Sequence, residues 1–200
     1  VGSGKTIVAL LSSLNVIESG YQVAFMAPTE ILANQHFQLA KKLFLGSNVS
    51  LSIVTGKTNF KEKNETISLI ENGKTNFIFG THSLFQKRIK FLNLGLIIID
   101  EQHKFGVNQR IKLAKKGGEN CDLLLISATP IPRTMMLSFF GDMDISRLKE
   151  KPKNRYNVLT LIKPENKIVE VWPLLSKEIK LNRQIFWICP LIEDSKNLNF

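Results

Sequence analysis

The sequence predicts an α/β fold in which a mostly parallel sheet is flanked by helices, and three observations support this prediction. Short, continuous apolar runs alternate with helix-length segments that carry an apolar stripe. Such runs are typical of parallel strands that are buried on both faces. Small, acidic and hydroxyl residues follow directly after several of the runs. Because ligands bind at the carboxyl ends of strands in such sheets, we expect the functional site at that edge.

Three helices and five strands are predicted in order along the first part of the chain. The helices span residues 6–19, 29–45 and 61–71, and the first two carry apolar residues along one side. Gly20 and Gly73 follow the first and third of them, where glycine commonly ends a helix. The predicted strands span residues 22–26, 49–54, 77–79, 94–99 and 122–126.

A change of composition after residue 148 predicts a domain boundary. Residues 149–155 are charged, contain a proline and lack apolar side chains, as interdomain linkers commonly do. Beyond them, the pattern predicts a strand over 158–162, a helix from about Asn166 and a strand over 184–189. We therefore predict a first domain over residues 1–148, a linker over 149–156 and the start of a second domain over 157–200.

Composition indicates the kind of partner and the compartment. The 200 residues carry a net charge of +10, which favours an anionic partner, nucleic acid first, although a lysine-rich proteome is the alternative explanation. The two cysteines, Cys121 and Cys189, lie far apart in apolar settings, so we expect reduced thiols in a cytoplasmic protein. His36, His82 and His103 lack the spacing of zinc ligands. We expect no membrane segment, because no run of 18 apolar residues occurs.

Residues 2–6, Gly-Ser-Gly-Lys-Thr, match the end of a phosphate-binding loop. The full pattern is Gly, four residues, then Gly-Lys-Ser/Thr. Its first Gly would precede Val1, so we expect that the chain begins within the loop. The alternative interpretation of these residues is a glycine-rich helix start with an exposed lysine.

Each residue of this loop has a chemical role if it binds a nucleotide. Gly2 and Gly4, with Ser3 between them, allow the backbone to curl and to direct N–H groups at a phosphate. Lys5 would contact the β and γ phosphates, and the Thr6 hydroxyl would bind Mg²⁺. The positive end of the following helix would favour the same anion.

An acidic pair follows the apolar run that ends at residue 99. Asp100 would stand at the carboxyl end of this strand, where its carboxylate can hold Mg²⁺. Glu101 would orient or deprotonate an attacking water. The alternative is an acidic pair that caps the next helix, but the phosphate loop upstream favours the catalytic interpretation.

The segment Ser127-Ala128-Thr129-Pro130 also follows an apolar strand. Its hydroxyl groups would bond to the acidic motif and sense the γ-phosphate. The alternative is an ordinary helix start, with a hydroxyl cap and a proline at the first helical position.

In their order along the chain, these motifs resemble motifs I to III of the superfamily-two helicases. They include Ala-Pro-Thr-Glu at 27–30, Gly-Thr-His at 80–82 and Asp-Glu-Gln-His at 100–103. The longer strings at 26–36, 80–86, 100–110 and 127–134 are similar to the RecG family of bacterial branched-DNA helicases. Transcription-repair coupling factors of the Mfd family have a similar motor. However, they usually carry Phe at the position of Ser3 and Glu at the position of Gln102.

The resemblance, which covers essentially the whole chain, implies a RecA-like ATP-binding domain followed by the start of a second RecA-like domain. It implies ATP and Mg²⁺ as cofactors, with Lys5 and Thr6 on the phosphates and Mg²⁺. Asp100 would hold Mg²⁺ and Glu101 would be the catalytic carboxylate. The remaining nucleotide-linked residues would connect the acidic motif to the third motif: Gln102, His103, Ser127 and Thr129.

The resemblance also implies a DNA track in which backbone amides and hydroxyls contact phosphates without reading bases. The residues implied are Pro28, Thr29, Glu30, Thr55, Gly56, Lys57, Gly80, Thr81 and His82. Basic groups at 87–90 and 104–116 would add salt-sensitive attraction, or would simply form a solvated surface.

At the level of the parent protein, the resemblance implies an ATP-dependent helicase that remodels replication forks and Holliday junctions in recombination and repair. Its missing wedge and second motor domains would be the partners of this chain. A different phosphate-loop enzyme is the second hypothesis, but the Asn166-Lys167 string lacks the Asp that a GTPase needs to recognise guanine. A non-catalytic nucleic-acid-binding remnant is the third hypothesis.

Overall fold

The structure, a computed structural model, describes residues 2–56, 59–101, 118, 121–128, 144–148 and 158–188. Two compact units are present, Val1–Lys153 and Asn154–Phe200. The helices of the first unit are α1 (Lys5–Glu18), α2 (Glu30–Leu43) and α3 (Phe60–Glu71). Its strands are β1 (Gln22–Met26), β2 (Leu51–Val54), β3 (Phe77–Gly80), β4 (Leu94–Asp100) and β5 (Asp122–Ile126). A short 3-10 helix, His82–Phe85, follows β3.

The five strands form one sheet in the order β2-β3-β1-β4-β5, and every pair is parallel. Met26 of β1 is level with Gly80 of β3 and with Ile99 of β4. Because all strands run the same way, the residues that follow them meet at one edge. The predicted parallel α/β fold is confirmed, and in the first unit the predicted helices and strands differ from the observed ones by no more than two residues at each end.

Both faces of the sheet are buried, as the continuous apolar runs predicted. Side chains alternate between the faces along each strand. One core cluster contains Ile78 and Ile97, with Ile70 of α3 against them. The opposite cluster contains Phe25 and Phe79, with residues of α1 and α2. This burial fixes the register, since a slip of one residue would move every apolar side chain to the other face.

The second unit departs from the sequence prediction in its strands. Residues 158–162 and 184–188 have no strand conformation, and Val158 and Ile162 are 80% and 96% exposed. The predicted strands are therefore wrong for these residues, which form no backbone ladder with a neighbouring strand. The predicted helix begins as a 3-10 turn, Glu165–Glu170, and continues as α4 (Val171–Lys180). Cys189 and the predicted linker lie outside the described residues.

No helix in the described part of the chain is both long and apolar enough to cross a membrane.

Candidate nucleotide-binding site

The phosphate loop folds as a tight turn into the start of α1. Gly2 and Gly4 have φ angles of 79° and 83°, in the left-handed region where only glycine is readily accommodated. A Cβ on Gly4 would meet nothing within 4 Å, so its conformation, rather than space, requires glycine there. Gly4 is the residue that caps α1, and its carbonyl accepts a hydrogen bond from Val8 N at 3.1 Å.

The amino end of α1 is electrostatically prepared for an anion. No acidic residue lies in the first turn, so the positive end of the helix is not neutralised there. The Lys5 ammonium adds a full positive charge, and it donates a long hydrogen bond of 3.4 Å to Ser3 Oγ. Free N–H groups, a helix dipole and a lysine together favour a phosphate group at this position.

A cavity of about 370 Å³ joins this loop to the ends of β4 and β5. It is lined by residues 2–7, Asp100, Glu101, Ile126 and Ala128. Its size falls within the range usual for small-molecule sites. The fold therefore brings together two motifs that lie almost a hundred residues apart in the sequence.

The Asp100 carboxylate is held at both of its oxygens. Its Oδ2 is 2.8 Å from His36 Nε2, and its Oδ1 accepts a hydrogen bond of 3.0 Å from the backbone N–H of Glu101. Its side chain is only 13% exposed, so little water can replace these partners. The carboxylate consequently has a defined orientation toward the cavity.

Glu101 has a φ angle of 48°, which is uncommon for a residue with a side chain. Non-glycine residues in this region cost of the order of 1–3 kcal/mol and cluster at functional sites. Here the unusual backbone directs the Glu101 N–H at Asp100, and Glu101 is one of the residues that line the cavity.

The donor set fits a magnesium ion. The cavity contains the Thr6 hydroxyl and the Asp100 carboxylate, and both are hard oxygen donors of the kind that Mg²⁺ prefers. Mg²⁺ in nucleotide sites is held by one or two such groups together with phosphate oxygens. Thr6 and Asp100 are therefore the residues that would hold it.

The residues predicted for a DNA track follow β1, β2 and β3, the other half of the same sheet edge. Two of these segments touch: a Cβ built on Gly56 would lie 3.0 Å from Glu30 Oε1. Thr29 is exposed and caps α2, since its Oγ1 accepts from Leu32 N at 3.3 Å. Pro28 is half-buried. The segments that follow β1 and β2 thus lie side by side. None of the predicted DNA-track residues that the structure describes is among the residues that line the nucleotide cavity.

The three residues of the Gly80-Thr81-His82 segment differ in their exposure to solvent. Thr81 is 2% exposed, and its Oγ1 has no hydrogen-bond partner among the described residues, whereas His82 is exposed. Ser83 anchors the segment by donating a hydrogen bond of 2.8 Å to the carbonyl of Val54, at the end of β2. Of this segment, the His82 side chain is the one that faces solvent.

Several predicted site residues lie outside the described part of the chain: Lys57, Gln102, His103 and Thr129. Their roles stay predictions. Ser127, which is described, follows β5 and is half-buried beside the cavity residue Ala128.

The sequence analysis missed His36, which lies on the buried face of α2 and contacts Asp100. The available signal was its position in the helix, between the buried Ala33 and Ala40 at intervals of three and four residues. A histidine in a buried stripe of this kind needs a polar partner. Nothing local indicates that the partner is Asp100, 64 residues away.

Comparisons with known proteins agree with this geometry. Residues 1–137 match the DEAD/DEAH box helicase family. The chain is 45% identical over 98% of its length to the ATP-dependent DNA helicase RecG of Borreliella burgdorferi, and 46% identical over 100% of its length to that of Aquifex aeolicus. It spans 28% and 25% of those two proteins, about a quarter of their length.

A solved structure supports the same relationship. The structure of RecG bound to a three-way DNA junction is 41% identical in sequence and superimposes with a TM-score of 0.74. The match covers 90% of this chain and 24% of that one. The chain therefore resembles RecG over nearly its whole length, and the RecA-like fold expected from the motifs is confirmed.

Proposed function

Since the chain belongs to the DEAD/DEAH box helicase family, we propose that it is the ATP-binding part of the motor of a DNA helicase that remodels branched DNA. One observation carries the proposal: the phosphate loop and the acidic pair line a single cavity. The similarity to RecG proteins and to the structure with a three-way junction supports DNA as the substrate. The activity proposed belongs to the full-length protein, because the chain spans about a quarter of these relatives.

Binding of ATP would use the loop and the first turn of α1. The backbone N–H groups around Gly4 and the amino end of the helix would surround the phosphates. Lys5 would contribute the positive charge that the developing transition state requires. Thr6 and Asp100 would hold Mg²⁺, which supplies further positive charge to the phosphate oxygens when it is bound.

Hydrolysis requires a water positioned in line with the γ-phosphate and a group that accepts its proton. Glu101 lines the same cavity as the phosphate loop, so its carboxylate is the group placed to do this. General-base residues of this kind typically contribute about 10²–10⁴-fold to the rate.

DNA would bind along the ends of β1, β2 and β3. Exposed groups there, including Thr29, Gly56 and His82, would contact the sugar–phosphate backbone. Such contacts carry no base information, so the binding would be independent of sequence and weakened by salt. The net charge of +10 favours the same partner.

The test is ATP hydrolysis by the full-length protein, measured without DNA, with linear duplex and with a three-way junction. Lys5→Ala is the variant, and Lys61→Ala, an exposed lysine on α3, is the matched control. We expect hydrolysis that branched DNA stimulates, that Lys5→Ala abolishes and that Lys61→Ala preserves.

Two results would oppose the proposal. Junction binding without any hydrolysis would favour a non-catalytic nucleic-acid-binding protein. Hydrolysis that no DNA stimulates would favour a different phosphate-loop enzyme.

A further inference from the structure

His36 is a buried polar residue that the proposed mechanism leaves without a role. It lies on α2, is 9% exposed and packs its ring against Phe25, with ring centroids 4.8 Å apart. Its Nε2 is 2.8 Å from Asp100 Oδ2. Helix α2 is thus bonded directly to the carboxylate at the end of β4.

The chemistry of this contact fixes the direction of the hydrogen bond. An ionised carboxylate has only acceptor oxygens, so the hydrogen must lie on the imidazole. His36 Nε2–H therefore donates to Asp100. Because the Glu101 amide donates to the other oxygen, rotation of the carboxylate would break at least one of two hydrogen bonds.

Orientation matters because a metal ion requires a lone pair in a defined direction. Groups that hydrogen-bond to a ligating side chain fix its orientation, and losing one typically costs about 10–100-fold in metal affinity or activity. Oδ1 and Oδ2 of Asp100 each accept one hydrogen bond, so each oxygen has a further lone pair available to a metal ion in the cavity. The two hydrogen bonds decide where these lone pairs point.

We propose that His36 is a positioning residue, which holds the Asp100 carboxylate in the orientation that receives Mg²⁺ with the nucleotide. This inference rests on the proposed function, because it requires a magnesium–nucleotide complex in the cavity. The competing explanation is that His36 only fills the core against Phe25 and stabilises α2.

Two substitutions that differ by one methylene separate these explanations. The amide nitrogen of His36→Gln reaches as far from the backbone as Nε2 does, so the hydrogen bond to Asp100 is retained. The amide of His36→Asn stops about where the nearer ring nitrogen lies, so the bond is lost. Both lose the aromatic ring against Phe25, so a role in packing alone should lower the stability of both without changing what Mg²⁺ contributes to nucleotide affinity.

The measurement is the affinity of the full-length protein for a fluorescent, non-hydrolysable ATP analogue, in the presence of Mg²⁺ and of EDTA. The ratio of the two affinities reports what Mg²⁺ contributes. We expect His36→Asn to reduce this ratio about 10–100-fold and His36→Gln to retain most of it. The affinities in EDTA should be equal in all three proteins.

The inference is overturned if His36→Asn keeps the wild-type ratio, or if the two variants lose it equally. A joint fall in melting temperature with unchanged ratios would assign His36 to packing alone.

Lys5→Ala, measured in the same way, tests the proposed function separately from the role of His36. Nucleotide binding that depends on Lys5 supports that function whatever the His36 variants show. Absence of nucleotide binding in the wild-type protein contradicts both.

Discussion

The two ends of the parallel sheet use polar residues in opposite ways. At the amino end, Gln22 of β1 is 3% exposed and makes four hydrogen bonds. Its Nε2 donates to the carbonyls of Ile70 and Thr75, and its Oε1 accepts from the amides of Leu92 and Asn93. One side chain thereby connects the end of α3 and the loop that follows it to the loop before β4, and its bonding capacity is used internally.

At the carboxyl end, polar residues border a cavity. The phosphate loop and the acidic pair line an open cavity, and Glu101 holds an uncommon backbone conformation. The difference indicates that Gln22 stabilises the fold, whereas the cavity at the carboxyl end has room for a ligand. Substitutions of these polar residues should therefore separate the two: a change of Gln22 should alter stability, and a change of the acidic pair should alter activity.

The largest effect is expected at the carboxyl end, for Glu101→Gln. This substitution removes the proton acceptor and keeps the shape of the side chain. ATP hydrolysis should fall about 10²–10⁴-fold, while the affinity for nucleotide and the melting temperature should change little. Steady-state hydrolysis and equilibrium binding measure the two quantities. If the variant hydrolyses ATP at more than a tenth of the wild-type rate, Glu101 is not the proton acceptor.

The opposite pattern is expected for Gln22→Leu, at the amino end. The leucine removes the partner of the Thr75 carbonyl and of the Leu92 and Asn93 amides, at about 1–3 kcal/mol for each group that water cannot reach. The Ile70 carbonyl still accepts a hydrogen bond from Gly73 N. The free energy of unfolding should fall by at least about 3 kcal/mol in urea titrations. The affinity of the remaining folded protein for nucleotide should be unchanged. Gln35→Leu, at an exposed position of α2, is the control and should shift stability by less than about 0.5 kcal/mol.

Two glycines at the carboxyl end test how tightly the strands approach there. A Cβ on Gly80 would lie 2.5 Å from the Val54 carbonyl and 2.9 Å from Leu84 Cγ, so backbone and core must move. Gly80→Ala should cost about 1–3 kcal/mol, as overpacking in a core commonly does. A Cβ on Gly56 meets only the carboxylate of Glu30, which can rotate away, so Gly56→Ala should cost far less. Equal losses in thermal unfolding would contradict the argument from space.

The smallest effect is expected for Thr29→Ala. This substitution removes the hydroxyl that caps α2 and should reduce stability by about 1 kcal/mol, whereas Thr29→Ser should preserve it. If Thr29 also contacts DNA, the alanine variant should bind the three-way junction more weakly than the serine variant. If both variants bind the junction equally weakly, the hydroxyl group of Thr29 is not what contacts DNA.

Much of the fold was predictable because the signals that specify it are local. The apolar runs of β1 and β5 predicted both strands at the residues where they lie. The same signal failed at residues 158–162, because a strand also needs a neighbour with which to exchange hydrogen bonds, and an apolar run does not encode that neighbour.

The proximity of the phosphate loop and the acidic pair was predictable for a similar reason. Residues 2–6 and Asp100 have recognisable motifs, and parallel topology was enough to place them at one edge. The contact of His36 with Asp100 depends on how α2 packs on the sheet, which no local pattern shows. The burial of Thr81 beside the exposed His82 depends on the turn after β3 for the same reason.

The most direct test of the account is a structure of the full-length protein with Mg²⁺ and a non-hydrolysable ATP analogue. The account predicts that the phosphates lie against the backbone N–H groups of residues 2–6, with Mg²⁺ between Thr6 and Asp100 and with Glu101 facing the γ-phosphate. Phosphates bound away from this cavity, or Mg²⁺ held without Asp100, would contradict it.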